Sequence, residues 1–73
     1  MKINAITIEL NRKVVNFYAA CAGKVAVNFP WTTGVNWVVE PDIETSKKIA
    51  AKCGAELTNS ELFEIMTILE RLA

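Results

Sequence analysis

The sequence predicts an α+β domain: a four-stranded antiparallel meander, about residues 3–10, 14–22, 24–31 and 35–40, followed by two helices at about 43–53 and 59–72 packed on one face. Three observations carry this. Apolar and polar residues alternate strictly on both sides of Thr32-Thr33-Gly34, the period of a half-buried strand. Pro41 then ends the alternation, because the residue before a proline is pushed into extended geometry. Beyond it the apolar spacing widens to three and four residues behind two helix-capping side chains, Asp42 and Thr58.

The first strand is rich in β-branched residues and places Ile6, Ile8 and Leu10 on one face, with Ala5, Thr7 and Glu9 on the other. A two-residue loop at Asn11-Arg12 sets Ile8 opposite Val15 and Ile6 opposite Phe17. The second strand has a rival. Residues 12–22 could form a helix capped by Asn11 and closed by Gly23, which would give a βαββαα order. Against the helix, Arg12 and Lys13 would sit at the positive end of its dipole, and it would be apolar nearly all round.

A three-residue loop at Ala22-Gly23-Lys24 sets Cys21 opposite Val25, Ala19 opposite Val27 and Phe17 opposite Phe29, although it leaves Gly23 second in the loop. In the third and fourth strands, Thr32-Thr33-Gly34 forms a hairpin loop with Gly34 in the left-handed third position. Trp31 then faces Val35, Phe29 faces Trp37 and Val27 faces Val39. With these registers Ile6, Ile8, Val15, Phe17, Ala19, Cys21, Val25, Val27, Phe29, Trp31, Val35, Trp37 and Val39 all lie on the core side. Pro30 directs its missing N–H toward the second strand, so that pairing should weaken there.

The first helix takes Asp42 as its cap, turns Ile43, Ser46, Ile49, Ala50 and Cys53 inward, and closes at Gly54. The second has Thr58 as cap, Glu61 completing a capping box and Leu57 against Leu62 as a hydrophobic staple. Its core stripe is Leu62, Ile65, Met66, Leu69 and Leu72, widened by Phe63 and Ile68.

With 73 residues there is room for a single domain over 1–73. A chain of this size buries only about 60% of the surface its unfolded form exposes, which makes association with itself a natural expectation. Eight basic and eight acidic residues give zero formal net charge, which argues against a partner held by long-range attraction, such as duplex nucleic acid or an anionic membrane. No apolar run approaches the roughly 20 residues of a membrane span, and the first ten residues lack the order of a secretion signal. These features predict a cytoplasmic protein whose cysteines, Cys21 and Cys53, are buried free thiols; a disulfide between them under oxidising conditions is compatible with that placement.

No histidine is present, which removes the side chain best suited to acid–base work near neutral pH and the commonest metal ligand. Glu40 and Asp42 flank Pro41, where Asp42 serves as a cap, and Glu61 and Glu64 suit the start of a helix. Gly23, Gly34 and Gly54 are isolated turn residues and make no phosphate loop. The expectation is a non-enzymatic protein with no catalytic residues, cofactor or metal.

What remains is surface. The sheet face away from the helices carries Asn16, Tyr18, Asn28, Asn36 and Val38, with few charges and a central tyrosine, a composition resembling the centre of a protein interface. By the registers above, Ala5, Tyr18, Asn28 and Val38 form one cross-sheet row and Thr7, Asn16, Pro30 and Asn36 the next. The edge strands, 3–10 and 35–40, offer unpaired backbone groups to an added strand. The sequence therefore points to a protein-interaction module: an adaptor, an assembly subunit, or a small inhibitor such as mobile elements encode, binding another protein or its own copy. Single-stranded nucleic acid is the second class, with Tyr18 to stack, the asparagines to hydrogen-bond, and Arg12, Lys13 and Lys24 near the loops. Lys47, Lys48 and Lys52 fall instead on the solvated side of the first helix.

Overall fold

The computed structural model describes residues 4–33, 36–55 and 58–73. It is an α+β fold with β1 (Ala5–Leu10), β2 (Lys13–Ala19), β3 (Val25–Asn28) and β4 (Asn36–Val39) in one antiparallel sheet of order β1-β2-β3-β4, followed by α1 (Ile43–Lys52) and α2 (Asn59–Leu72). The helical alternative for residues 12–22 is thereby excluded. The N-terminal end of the first predicted strand, the loop residue Gly34 with Val35, and the staple residue Leu57 lie outside the described residues.

The β1–β2 register is the predicted one, with Ile6 opposite Phe17 and Ile8 opposite Val15. Asn11 and Arg12 both take positive φ, 49° and 64°, as a two-residue loop matched to strand twist requires. The other two registers differ from expectation by two residues each. Phe17 faces Val27, Ala19 faces Val25, and Asn16 faces Asn28. The loop between them is Cys21–Gly23, with Ala20 N–H donating to the Lys24 carbonyl at 3.0 Å. This shift places Gly23 third in the loop at φ 72°, where a left-handed residue belongs, and leaves Cys21 exposed in the turn rather than in the core.

Between β3 and β4, Val25 faces Val39, Val27 faces Trp37 and Asn28 faces Asn36. The hairpin loop is longer than three residues because Pro30 starts a turn of its own. Thr32 N–H donates to the Phe29 carbonyl at 3.0 Å, which puts Pro30 in the second turn position that its fixed φ favours. β3 accordingly ends at Asn28, before the proline, in line with the expected weakening. Trp31 leaves the sheet with the turn. It stands 36% exposed, edge-on to Phe29 at 5.6 Å, with Lys13 Nζ 5.6 Å from its ring centroid, instead of lying in the core row.

Since both shifts are of two residues, they preserve which face each side chain occupies. Val15, Phe17, Val25, Val27 and Phe29 meet Ile49, Cys53, Ile65, Ile68, Leu69 and Leu72 in one core, with Ile6, Ile8, Trp37 and Val39 half-buried around it. Phe29 and Trp37 pack edge-to-face at 4.8 Å.

Asp42 caps α1 by accepting from Thr45 N–H at 2.8 Å. The helix ends in a Schellman pair, Gly54 N–H to the Ala51 carbonyl and Ala55 N–H to that of Ala50, made by Gly54 at φ 69°. Asn11 reaches across from the β1–β2 turn and donates Nδ2 to the Cys53 carbonyl at 2.9 Å and to that of Gly54 at 3.3 Å. Thr58 caps α2 by accepting from Glu61 N–H. Two predicted core positions face solvent. Phe63 is 70% exposed, because at 3.6 residues per turn it lies about 200° around the helix from Ile65, opposite the buried stripe. Ile43 is exposed in the first turn of α1, its side chain tilting back past the packed part of the helix.

Candidate interaction surface

Side-chain alternation puts Ala5, Thr7 and Glu9 of β1, Val14, Asn16 and Tyr18 of β2, Ala26 and Asn28 of β3, and Asn36 and Val38 of β4 on the sheet face away from the core. All five predicted surface residues are therefore on one face, but in different rows from those expected. Thr7, Asn16, Asn28 and Asn36 form one row; Ala5, Tyr18, Ala26 and Val38 form the next. Asn28 enters the asparagine row where Pro30 was expected, and Ala26 takes the place of Asn28 beside Tyr18.

The asparagine row is continuously hydrogen-bonded. Thr7 Oγ1 donates to Asn16 Oδ1 at 2.8 Å, Asn16 Nδ2 donates to Asn28 Oδ1 at 3.1 Å, and Asn28 Nδ2 donates to Asn36 Oδ1 at 2.7 Å. Asn16 and Asn28 each accept from the β1 side and donate toward the β4 side, and Asn36 accepts from Asn28. The chain exists only in the observed β2–β3 register, which the left-handed third position of Gly23 sets.

Apolar groups flank this row. Tyr18 is 44% and Val38 65% exposed, separated by the small side chain of Ala26, and Val14 lies exposed on the other side of Asn16. Charge sits at the margins: Glu9 on β1, and Lys24 paired with Glu40 at 3.4 Å. That pairing and the stacking of Lys13 over Trp31 engage two of the three cations the nucleic-acid reading relied on. No cavity is found among the described residues, and none of their Cys, Asp or Glu side chains cluster as metal ligands. Burial pushes the Cys53 thiol up, away from a reactive thiolate. Among the described residues, no helix is long and apolar enough to cross a membrane.

The class this defines is a small α+β domain with helices on one side of a meander and a hydrogen-bonded, charge-poor face on the other. No family model, curated protein or solved structure matches the chain.

Proposed function

We propose that the protein is a non-enzymatic interaction module whose open sheet face binds another protein, with Tyr18, Val14 and Val38 as apolar contacts around Asn16, Asn28 and Asn36. The observation that supports this is the Thr7–Asn16–Asn28–Asn36 chain. Covering a polar face is unfavourable mainly because its donors and acceptors lose water without finding partners. Here the amides already engage one another, so a partner can dehydrate the row while leaving few groups unpaired. The flanking tyrosine and valines supply the apolar area that drives association. An adaptor, an assembly subunit and a small inhibitor all use such a face.

The test is capture of a partner by the immobilised protein from the lysate of its native cell, with Tyr18→Ala plus Val14→Thr as the comparison. Neither side chain makes a side-chain hydrogen bond among the described residues, so the thermal midpoint should hold within a few degrees while capture is lost. Undiminished capture by the double variant would move the site off this face. Asn28 is the wrong residue to remove, since it is tied on both sides and its loss disturbs the sheet itself.

A further inference from the structure

We propose that the two edges of the sheet are complementary to each other, so that β4 of one copy adds antiparallel to β1 of a second copy, with Asn36 opposite Thr7 and Val38 opposite Ala5. The argument begins with the direction of the backbone groups. Ala19 N–H donates to Asn4 at 2.9 Å, so odd positions of β2 face β1, while Ala20 N–H donates to Lys24 at 3.0 Å, so even positions face β3. Carried across the antiparallel registers, this alternation turns the N–H and C=O of Ala5, Thr7 and Glu9 outward on β1, and those of Asn36 and Val38 outward on β4. Asn36 opposite Thr7 and Val38 opposite Ala5 are therefore both hydrogen-bonded pairs in the same register.

The side chains select the same pairing. The asparagine row has a direction, and its two ends differ. Asn36 Oδ1 is taken by Asn28, which leaves its Nδ2 as a donor on β4, whereas Thr7 Oγ1, having donated to Asn16, keeps acceptor capacity at β1. Two β4 edges would set donor against donor; β4 against β1 sets donor against acceptor and continues both rows into the next copy. Asn16 and Asn28, by the same alternation a hydrogen-bonded backbone pair, already bridge their side chains at 3.1 Å within the chain. On the core side, Trp37 falls opposite Ile6 of the second copy, so that two half-buried edge residues cover each other. Neither strand carries the lysine or proline that commonly guards an edge, and zero net charge leaves no long-range repulsion between copies. The contact is heterologous, so it propagates beyond a dimer unless a ring closes. It concerns the edges only, and the binding role of the open face stands or falls separately.

Proline at an outward position removes one edge donor while keeping every bond inside the sheet. Val38→Pro blocks the β4 edge and Ala5→Pro blocks the β1 edge. In sedimentation velocity over a range of concentrations, the wild-type chain should form species heavier than 8.1 kDa, and each variant alone should remain at that mass. Mixed in equal amounts, the variants should form a species of twice 8.1 kDa that goes no further, since each retains the edge the other lacks. Circular dichroism matching the wild type checks that both variants fold; where either does not, Thr7→Val, which removes the hydroxyl acceptor at the β1 edge together with its donation to Asn16 Oδ1, should weaken association of the otherwise wild-type chain. A monomeric wild type overturns the proposal. So does self-association of either proline variant, which would mean a symmetric pairing of like edges or a contact elsewhere.

Discussion

The indole Nε1 of Trp31 donates to the backbone carbonyl of Val14 at 2.8 Å, filling a place in the sheet that Pro30 leaves empty. Even positions of β2 face β3, and continuing the Asn16–Asn28 register by two residues sets Val14 opposite Pro30. Proline has no N–H, so the Val14 carbonyl has lost its ladder donor. The next side chain supplies one. Trp31 thus exchanges a place in the core for the role of a side-chain rung, held by Phe29 beside it and Lys13 over its ring.

Trp31→Phe keeps the aromatic contact and removes the donor, and should lower stability in urea unfolding by about 1 kcal/mol, the usual net worth of one hydrogen bond. Pro30→Ala restores a backbone N–H aimed at β2. In that background the loss from Trp31→Phe should shrink, because Val14 has an alternative donor. An equal loss in both backgrounds would mean that the indole stabilises the turn through packing alone.

The strands, the helices, both helix caps and the choice of face were all legible in the sequence, because each rests on local chemistry or on a period. Alternation survives a two-residue slip, which is why the faces within the paired strands agree with expectation although two registers do not, while Cys21 and Trp31 leave the core with their turns. Register is set by turns, and here two rules of turn chemistry had to be weighed against loop length. Gly23 in third place outranks the loop that would have buried Cys21, and Pro30 in second place of its own turn outranks the tight Thr32-Thr33-Gly34 hairpin. The asparagine row was hidden for that reason: Asn16 and Asn28 become neighbours only in the register that the Gly23 loop sets. Phe63 departs from expectation for another reason: it is large and apolar, but its angle around the helix lies outside the buried stripe. The Asn11 tie to α1 is a contact between residues 42 apart in sequence, to which no local pattern points.

Asn11 has two separable functions, and substitutions can divide them. Its φ of 49° suits the turn, and its Nδ2 satisfies carbonyls at the C-terminal end of α1 that lack partners in the helix. Asn11→Gly keeps the first and loses the second, and should cost about 1 kcal/mol. Asn11→Ala loses both and should cost roughly 1–2 kcal/mol more, the penalty of a left-handed residue with a Cβ. Arg12, at φ 64° in the same turn, should behave oppositely, with Arg12→Gly raising stability. Chemical denaturation of the three variants measures these differences. Wild-type stability in Asn11→Gly would show that the tie to α1 contributes no more than glycine gains by relieving a left-handed Cβ.

Asp42 gives the fold an acid-sensitive joint between sheet and helix. Thr45 donates its backbone N–H to the Asp42 carboxylate, and this bond holds the carboxyl below the usual carboxylate range, with Lys48 adding a smaller effect in the same direction. A carboxyl whose pKa is lower folded than unfolded stabilises the folded state above its unfolded value, near 3.8, and that contribution disappears as pH falls through the folded value. Asp42→Asn keeps a side-chain acceptor for Thr45 and removes the charge at the positive end of the helix dipole. At neutral pH the wild type should therefore unfold at a higher temperature than Asp42→Asn, and the gap should close as the solution is acidified below about pH 4. Asp42→Ala, which has no acceptor, should be the least stable of the three at neutral pH. Thermal unfolding of the three proteins across this range decides the matter, and a gap between aspartate and asparagine that does not change with pH would assign the cap to hydrogen bonding alone.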